Sequence, residues 1–216
     1  MDQIRDFDIS LFLTLHRHHT PFSDDFMWYV SGMVTWLPVL LVLLYIIFRK
    51  GWKTGLLFIV SLAVVITISD QISSSLIKPL VGRLRPTHDP SLSPYVLLVH
   101  GYRGGLYSFV SSHAANSVSI AAFIAMVLRN RLASWALAVW VILICYSRIY
   151  IGVHFPADLL CGSMIGLVAA FAGWKLFCYL CKRFLGQIPA YAPADSHLLI
   201  SALAANVIIF AIVALF

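Results

Sequence analysis

The chain has 216 residues, of which 61% are hydrophobic and 11% are charged, and its mean hydropathy is +0.89. Soluble proteins carry about 25% charged residues, so this composition excludes an ordinary soluble enzyme and indicates an integral membrane protein. The net charge is +6, but no soluble region carries basic residues interleaved with aromatic ones. This pattern argues against nucleic-acid binding and fits contact with anionic lipid.

The N-terminal segment, residues 3–19, differs from the rest of the chain. Ile4, Phe7, Leu11 and Leu15 recur at helical spacing with charged residues between them, which predicts an amphipathic helix lying in the membrane interface. A short soluble cap fits the same pattern equally well. Because charges and histidines occupy the place of an apolar core, we expect no cleavable signal peptide, and the first spanning helix would act as the targeting signal.

Six long apolar segments follow the N-terminal segment. They are continuously apolar and not alternating, which favours helices over a membrane β-barrel, and most approach the length of about 20 residues that spans a bilayer. The prediction is an all-α bundle of six transmembrane helices in a single domain over residues 1–216. The segments are 26–48, 55–77, 112–128, 133–152, 157–181 and 197–216.

The first motif, at the end of the second apolar segment, runs from Lys78 to Pro86 and contains Arg85. A lysine offers a compact positive charge and an arginine offers a planar fork, so the pair suits a tetrahedral oxyanion such as phosphate. The helix-breaking Pro79, Gly82 and Pro86 would let the backbone fold back and aim both cations at one point. Taken alone, the segment favours a basic collar at the bilayer edge over a phosphate site.

The second motif, Ser111-Ser112-His113, opens the third apolar segment. The N-terminus of a helix favours anions, and both serines would donate hydrogen bonds to a phosphate. His113 is a candidate general acid because histidine titrates near neutral pH. An ordinary serine cap beside an interfacial histidine is the alternative interpretation.

The third motif contains Ser147, Arg148, His154 and Asp158. If the chain is helical from about residue 155, Asp158 lies one turn beyond His154 and can accept its ring N–H. The other ring nitrogen would then be an unprotonated nucleophile. Ionisable groups at membrane depth are costly, so the cluster indicates function, with a structural ion pair as the weaker interpretation.

Together, the three motifs resemble those of the type 2 phosphatidic acid phosphatase (PAP2) superfamily, whose pattern is K-x6-RP, PSGH and SR-x5-H-x3-D. The first and third are matched in full within residues 78–158. The second departs from the pattern, because Val110 stands where the family has Pro and Ser112 where it has Gly. Both departures bear on how closely the backbone at Ser112 can approach a phosphate.

The resemblance implies a two-step phosphatase that uses no metal and no cofactor. His154, oriented by Asp158, would attack phosphorus, His113 would protonate the leaving oxygen, and water would then cleave the phosphohistidine. The remaining residues would bind the phosphate oxygens: Lys78, Arg85, Ser111, Ser112 and Arg148.

The distribution of Lys and Arg predicts the orientation in the membrane. Once the motif cations are set aside, eight cations lie on one side and four on the other, so the motifs are expected to face the periplasm from a bacterial inner membrane. The eight are Arg49, Lys50, Lys53, Arg129, Arg131, Lys175, Lys182 and Arg183, and the four are Arg5, Arg17, Arg83 and Arg103.

Two other functions remain compatible with the motifs. A hydrolase could use His113, His154 and Asp158 as metal ligands, although three nearby cations would repel a metal. A non-enzymatic carrier or flippase would bind phosphate headgroups with the same cations and release no phosphate. A haloperoxidase is disfavoured by the apolar segments.

The expected partner is a membrane lipid that carries phosphate, and no protein partner is predicted. Candidates are undecaprenyl diphosphate, a lipid A phosphate and phosphatidylglycerol phosphate. Asp70 is an acid at membrane depth that needs a partner such as Lys78 or Arg148, and the loop 87–108 is a candidate headgroup-recognition lid.

Overall fold

The computed structural model describes residues 2–216, which fold from helices and their connections, with one isolated bridge between Leu84 and Tyr107 and no strand. The predicted all-α class is confirmed. A π-helical segment, Gln71–Ile77, joins α4 to α5, and short 3-10 turns lie at Val34–Trp36, Ser93–Tyr95 and Val99–Gly101. The α-helices are α1 (Asp2–His16), α2 (Pro21–Ser31), α3 (Leu37–Phe48), α4 (Trp52–Asp70), α5 (Lys78–Val81), α6 (Ser112–Leu128), α7 (Arg131–Tyr150), α8 (Pro156–Leu185) and α9 (Pro193–Val213).

Four helical units are long and apolar enough to cross a membrane: Trp52–Val81, Arg131–Tyr150, Pro156–Leu185 and Pro193–Val213. A fifth is added if α2 and the following helical segment, which meet at 76°, form one bent span. Helix α6 is apolar but has only 17 residues, fewer than the roughly 20 that span a bilayer. A multi-pass membrane protein is therefore confirmed, with four or five candidate spans where six were predicted.

Local capping signals bring the three motifs to one end of the bundle. Helix α5 ends at Gly82, whose φ of 63° suits a residue without a Cβ. Ser111 caps α6 by accepting a hydrogen bond from the backbone N–H of Ala114, and Pro156 occupies the first turn of α8. The backbone N–H of Ser111 donates to the carbonyl of Asp158 at 3.0 Å, which joins the starts of α6 and α8 directly.

Helix α6 lies at the centre of the bundle, packed against α4, α7 and α8. Its contact with α8 is close because Gly162 and Gly166 lie one turn apart on the facing side of α8. A Cβ at position 162 would lie 2.5 Å from the carbonyl oxygen of Ser111, and one at position 166 would collide with that of Ala115. The two helices that carry the second and third motifs are therefore held at minimal separation.

Helix α1 docks on the end of the bundle that carries the motifs. Asp8, Phe12 and His16 lie at spacings of four residues and form its buried face, while Ile4 and Phe7 are 75% and 69% exposed. Phe12 packs edge-on against Phe155 at the start of α8, with ring centroids 5.4 Å apart. A helix is present in the N-terminal segment, but its amphipathic, interfacial character stays a prediction, and a buried face that contains Asp8 and His16 was not expected from the apolar pattern.

His16 ties α1 to two other parts of the chain. Its Nδ1 lies 2.8 Å from the carbonyl oxygen of Tyr150, and its Nε2 accepts a hydrogen bond of 3.0 Å from the backbone N–H of Leu97. Both bonds can be made at once only by the neutral ring, with the proton on Nδ1. Burial, and secondly the neighbouring His19, lowers the pKa of His16 below its ordinary value of 6.5.

Acidification is therefore expected to destabilise the protein through His16. Because the pKa of the folded state is lowered, the unfolded chain binds more protons below about pH 6.5, so stability is full above that pH and declines as the pH falls. Loss of the Nε2 acceptor would cost on the order of 1–2 kcal/mol. The measurement is the melting temperature in detergent at pH 7 and at pH 5, roughly the titration range of histidine. We expect it to fall less between these two pH values in His16→Gln than in wild type. The exposed His18→Gln is the matched control, and equal acid sensitivity in all three proteins would contradict this role.

Candidate active site

Of the two cations of the first motif, Lys78 is the first residue of α5 and Arg85 lies in the loop that follows α5. Lys78 Nζ donates to the Oγ of Ser112 at 3.0 Å, which joins the first motif to the second. Arg85 is 7% exposed and donates its Nε to the carbonyl of Tyr107 at 3.1 Å. The structure thus brings both predicted cations into the bundle, as a phosphate site requires and as a basic collar on the surface does not.

A chain of hydrogen bonds extends from Lys78 into the membrane-embedded part of the molecule. Ser112 shares a hydrogen bond of 2.8 Å with Ser74, and Ser74 donates to Asp70 at 3.2 Å. Asn116 donates to the same carboxylate oxygen at 3.3 Å. Asp70 therefore has partners within the bundle, and Ser112, which replaces the family's Gly, supplies the hydroxyl that links this chain to Lys78.

The third motif places a histidine beside a carboxylate in the turn between α7 and α8. His154 and Asp158 are both fully buried, and His154 Nδ1 lies 3.4 Å from Asp158 Oδ2. The same oxygen accepts a hydrogen bond of 2.9 Å from the backbone N–H of Phe155. Burial, and then the positive charges of Arg85 and Arg148, lower the pKa of His154 well below its ordinary value. His154 is therefore unprotonated at neutral pH, as a nucleophile must be.

Four buried nitrogen atoms on residues of the first and third motifs have no hydrogen-bond partner among residues 2–216: Arg85 Nη1, Arg148 Nε, His154 Nδ1 and His154 Nε2. Arg148 is 3% exposed, and its Nη1 donates to the hydroxyl of Ser31. Buried polar groups are almost always paired, so the unpaired guanidinium nitrogens are available to bind an anion. Two guanidinium donors beside a neutral imidazole nitrogen match a tetrahedral phosphate with phosphorus facing the imidazole.

His113 lies in the first turn of α6 and is partly exposed. It is close enough to Arg148, His154, Arg85 and Lys78 to interact with them electrostatically. Ser111, by contrast, uses its hydroxyl oxygen as the cap of α6. If Ser111 donates a hydrogen bond to phosphate, as predicted, its side chain can do so only with the hydroxyl proton.

Several residues at the site were not identified from sequence. Ser31 comes from α2 and binds Arg148, and Arg83, which lies inside the first motif, was counted only as a surface charge. Arg83 binds Asp158 at 3.0 Å and Asp8 at 2.7 Å. The sequence signal for the buried Asp8 is its regular spacing with Phe12 and His16, at intervals of four residues. A search for apolar periodicity alone misses this signal, because Asp8 and His16 are polar.

Comparisons with known proteins agree with this arrangement. The PAP2 superfamily matches residues 54–182. Lipid A 4'-phosphatase of Porphyromonas gingivalis is 39% identical over 196 residues, covering 90% of this chain and 83% of that protein. Lipid A 4'-phosphatase of Bacteroides thetaiotaomicron is 37% identical over 192 residues, covering 88% and 84%.

A solved structure shows the same fold. The transmembrane PAP2-type phosphatidylglycerolphosphate phosphatase from Bacillus subtilis superposes with a TM-score of 0.65 at 23% identity, covering 85% of this chain and 90% of that one. The region that matches the PAP2 superfamily, residues 54–182, contains all three motifs and most of the helices that carry them. The chain belongs to the PAP2 superfamily.

Proposed function

We propose that this protein is a metal-independent membrane phosphatase that removes the 4'-phosphate of lipid A through a phosphohistidine intermediate. The observation that carries the proposal is the set of unpaired buried nitrogens on Arg85, Arg148 and His154, with both guanidinium groups close enough to act electrostatically on the imidazole. The choice among lipid phosphates is supported by two relatives, each named lipid A 4'-phosphatase, that match most of the chain.

The first chemical step transfers the phosphoryl group to the enzyme. His154 Nε2 donates its electron pair to phosphorus, the bond from phosphorus to the sugar oxygen breaks, and His113 gives that oxygen a proton. Asp158, beside Nδ1, stabilises the positive charge that the ring acquires. Lys78, Arg85 and Arg148 neutralise the phosphoryl oxygens, which is the main contribution that a protein makes to phosphoryl transfer.

The second step returns the enzyme to its starting state. Water attacks phosphorus and gives a proton to His113, the bond from phosphorus to Nε2 breaks, and inorganic phosphate leaves. The group that acts as an acid in the first step acts as a base in the second, which microscopic reversibility requires.

The arrangement of helices supports an active site that faces the periplasm. Arg49 and Lys50 pair with Asp195 at the start of α9, each at 3.4 Å. These cations lie in the turn between α3 and α4, and the motif cation Lys78 lies beyond the far end of α4. The positive-inside rule then places the motifs outside the cytoplasm, in an inner membrane. In this proposal residues 1–216 form one domain with α6 as a short sixth membrane helix and α1 in the interface.

Phosphate release by the purified protein in detergent tests the function. We expect release from lipid A at the 4' position, none from undecaprenyl diphosphate or phosphatidylglycerol phosphate, and full activity in EDTA because the site is built from cations. Vanadate, which resembles the phosphoryl group in transfer, should inhibit. Release from one of the other lipids alone would overturn the substrate, and loss of activity in EDTA would overturn the mechanism. Lipid binding without any release would favour a carrier.

A further inference from the structure

Arg83 lies between two carboxylates at the edge of the active site. Its Nη1 donates to Asp158 Oδ1 at 3.0 Å, and its Nη2 donates to Asp8 Oδ2 at 2.7 Å. The guanidinium carbon lies 3.8 Å from the centre of the Phe155 ring, a cation–π contact. The side chains of Asp8 and Asp158 are 8% and 0% exposed, so both ion pairs are largely shielded from water.

Asp8 also fixes the helix that carries Asp158. Its Oδ1 accepts a hydrogen bond of 2.9 Å from the backbone N–H of Ala157, one of the free donors in the first turn of α8. Phe12, one turn further along α1, packs on Phe155. Asp8 thus contacts both Arg83, the ion-pair partner of Asp158, and the backbone N–H of Ala157, the residue before Asp158.

We propose that Asp8 and Arg83 are positioning residues that hold Asp158, and through it His154, in the geometry for attack on phosphorus. The proposal rests on the proposed function and deepens it. It makes α1, which lies outside the three motifs, part of the apparatus that sets the reaction rate.

The division of charge explains why Asp8 is needed. The carboxylate of Asp158 has to stabilise the positive charge that His154 acquires when Nε2 bonds to phosphorus. If Arg83 bound Asp158 alone, its charge would compete with His154 for that carboxylate. Because Asp8 shares Arg83, the negative charge of Asp158 stays available, while its Oδ1 remains held in place.

The test compares two substitutions in the same helix, each of which removes one negative charge. Asp8→Asn removes the negative charge of one of the two carboxylates that bind Arg83. Asp6→Asn is the matched control because Asp6 is exposed. For Asp8→Asn we expect kcat to fall on the order of tenfold or more with little change in KM, since a hydrogen bond to a charged group is lost. Asp6→Asn should keep both constants. A wild-type kcat in Asp8→Asn would overturn the proposal.

A double variant separates positioning from simple loss of folding. If Asp8 acts through Asp158, adding Asp8→Asn to Asp158→Asn should reduce kcat no further, whereas an independent structural loss would multiply the two effects and overturn the proposal. If Asp8→Asn does not fold, Arg83→Lys replaces it, because one ammonium group cannot bridge both carboxylates in the same fork geometry. Arg83→Lys should lower kcat likewise, and a wild-type value would overturn the proposal. Wild-type phosphate release in the same assay shows separately whether the proposed function holds.

Discussion

The variant His154→Ala is expected to lose phosphatase activity by about 10⁴-fold or more, the scale on which removal of an enzyme nucleophile acts. His154 Nε2 is a buried nitrogen without a hydrogen-bond partner, and Arg85 and Arg148 lie close enough to act on the ring electrostatically. No other imidazole of the site has a carboxylate beside its Nδ1, so the remaining charges could bind phosphate without transferring it. The loss should lie in kcat, with phosphate or vanadate still bound.

Covalent labelling distinguishes loss of the nucleophile from general damage. Brief incubation with a lipid that carries radiolabelled phosphate should label the wild-type protein, with the alkali stability and acid lability of a phosphohistidine. His154→Ala should acquire no label while it melts at a temperature close to that of wild type. Labelling of the variant, or substantial turnover by it, would assign the nucleophile to another group.

The variant His113→Ala should be impaired in proportion to the basicity of the leaving group. Positioned proton transfer contributes roughly 10²–10⁴-fold to rate, so steady-state release from lipid should fall by that amount. A nitrophenolate ion leaves without a proton, and the first step with p-nitrophenyl phosphate should therefore survive. The second step still needs His113 to accept a proton from water, so the phosphohistidine should accumulate.

A burst experiment measures this difference. His113→Ala should release about one nitrophenolate per protein and then stall, as expected when covalent chemistry is split into two steps. His154→Ala should give no burst, and the exposed His18→Ala should turn over like wild type. A His113→Ala protein that lacks the burst, or that turns over lipid at the wild-type rate, would remove His113 from the role of acid and base.

The sequence predicted the site where a residue's chemistry and its spacing agree. His154 and Asp158 are separated by one helical turn, and their proximity follows from that spacing once Pro156 starts the helix. The joining of Lys78 to the second motif was expected from the resemblance and is found through Ser112. The roles of these residues in catalysis stay predictions, because distance alone does not test them.

What the sequence could not predict depends on contacts between distant segments. Arg83 pairs with Asp8, 75 positions before it, and with Asp158, 75 positions after it, and no local pattern encodes these ion pairs. The same holds for Ser31, which reaches Arg148 across 117 positions. The count of six spans stays unconfirmed for a different reason: hydropathy registers apolar length, whereas the 76° bend after α2 and the shortness of α6 are geometric.

The close approach of α6 and α8 at Gly162 has a consequence for how this protein can diversify. The separation of His113, in the first turn of α6, from His154, just before α8, is set by the contact of two backbones, where a larger side chain at Gly162 would force the helices apart. The loop 87–108 lies outside that contact and can vary in sequence without altering it. Sequence changes in that loop can therefore alter the surroundings of the site while the spacing between His113 and His154 stays the same.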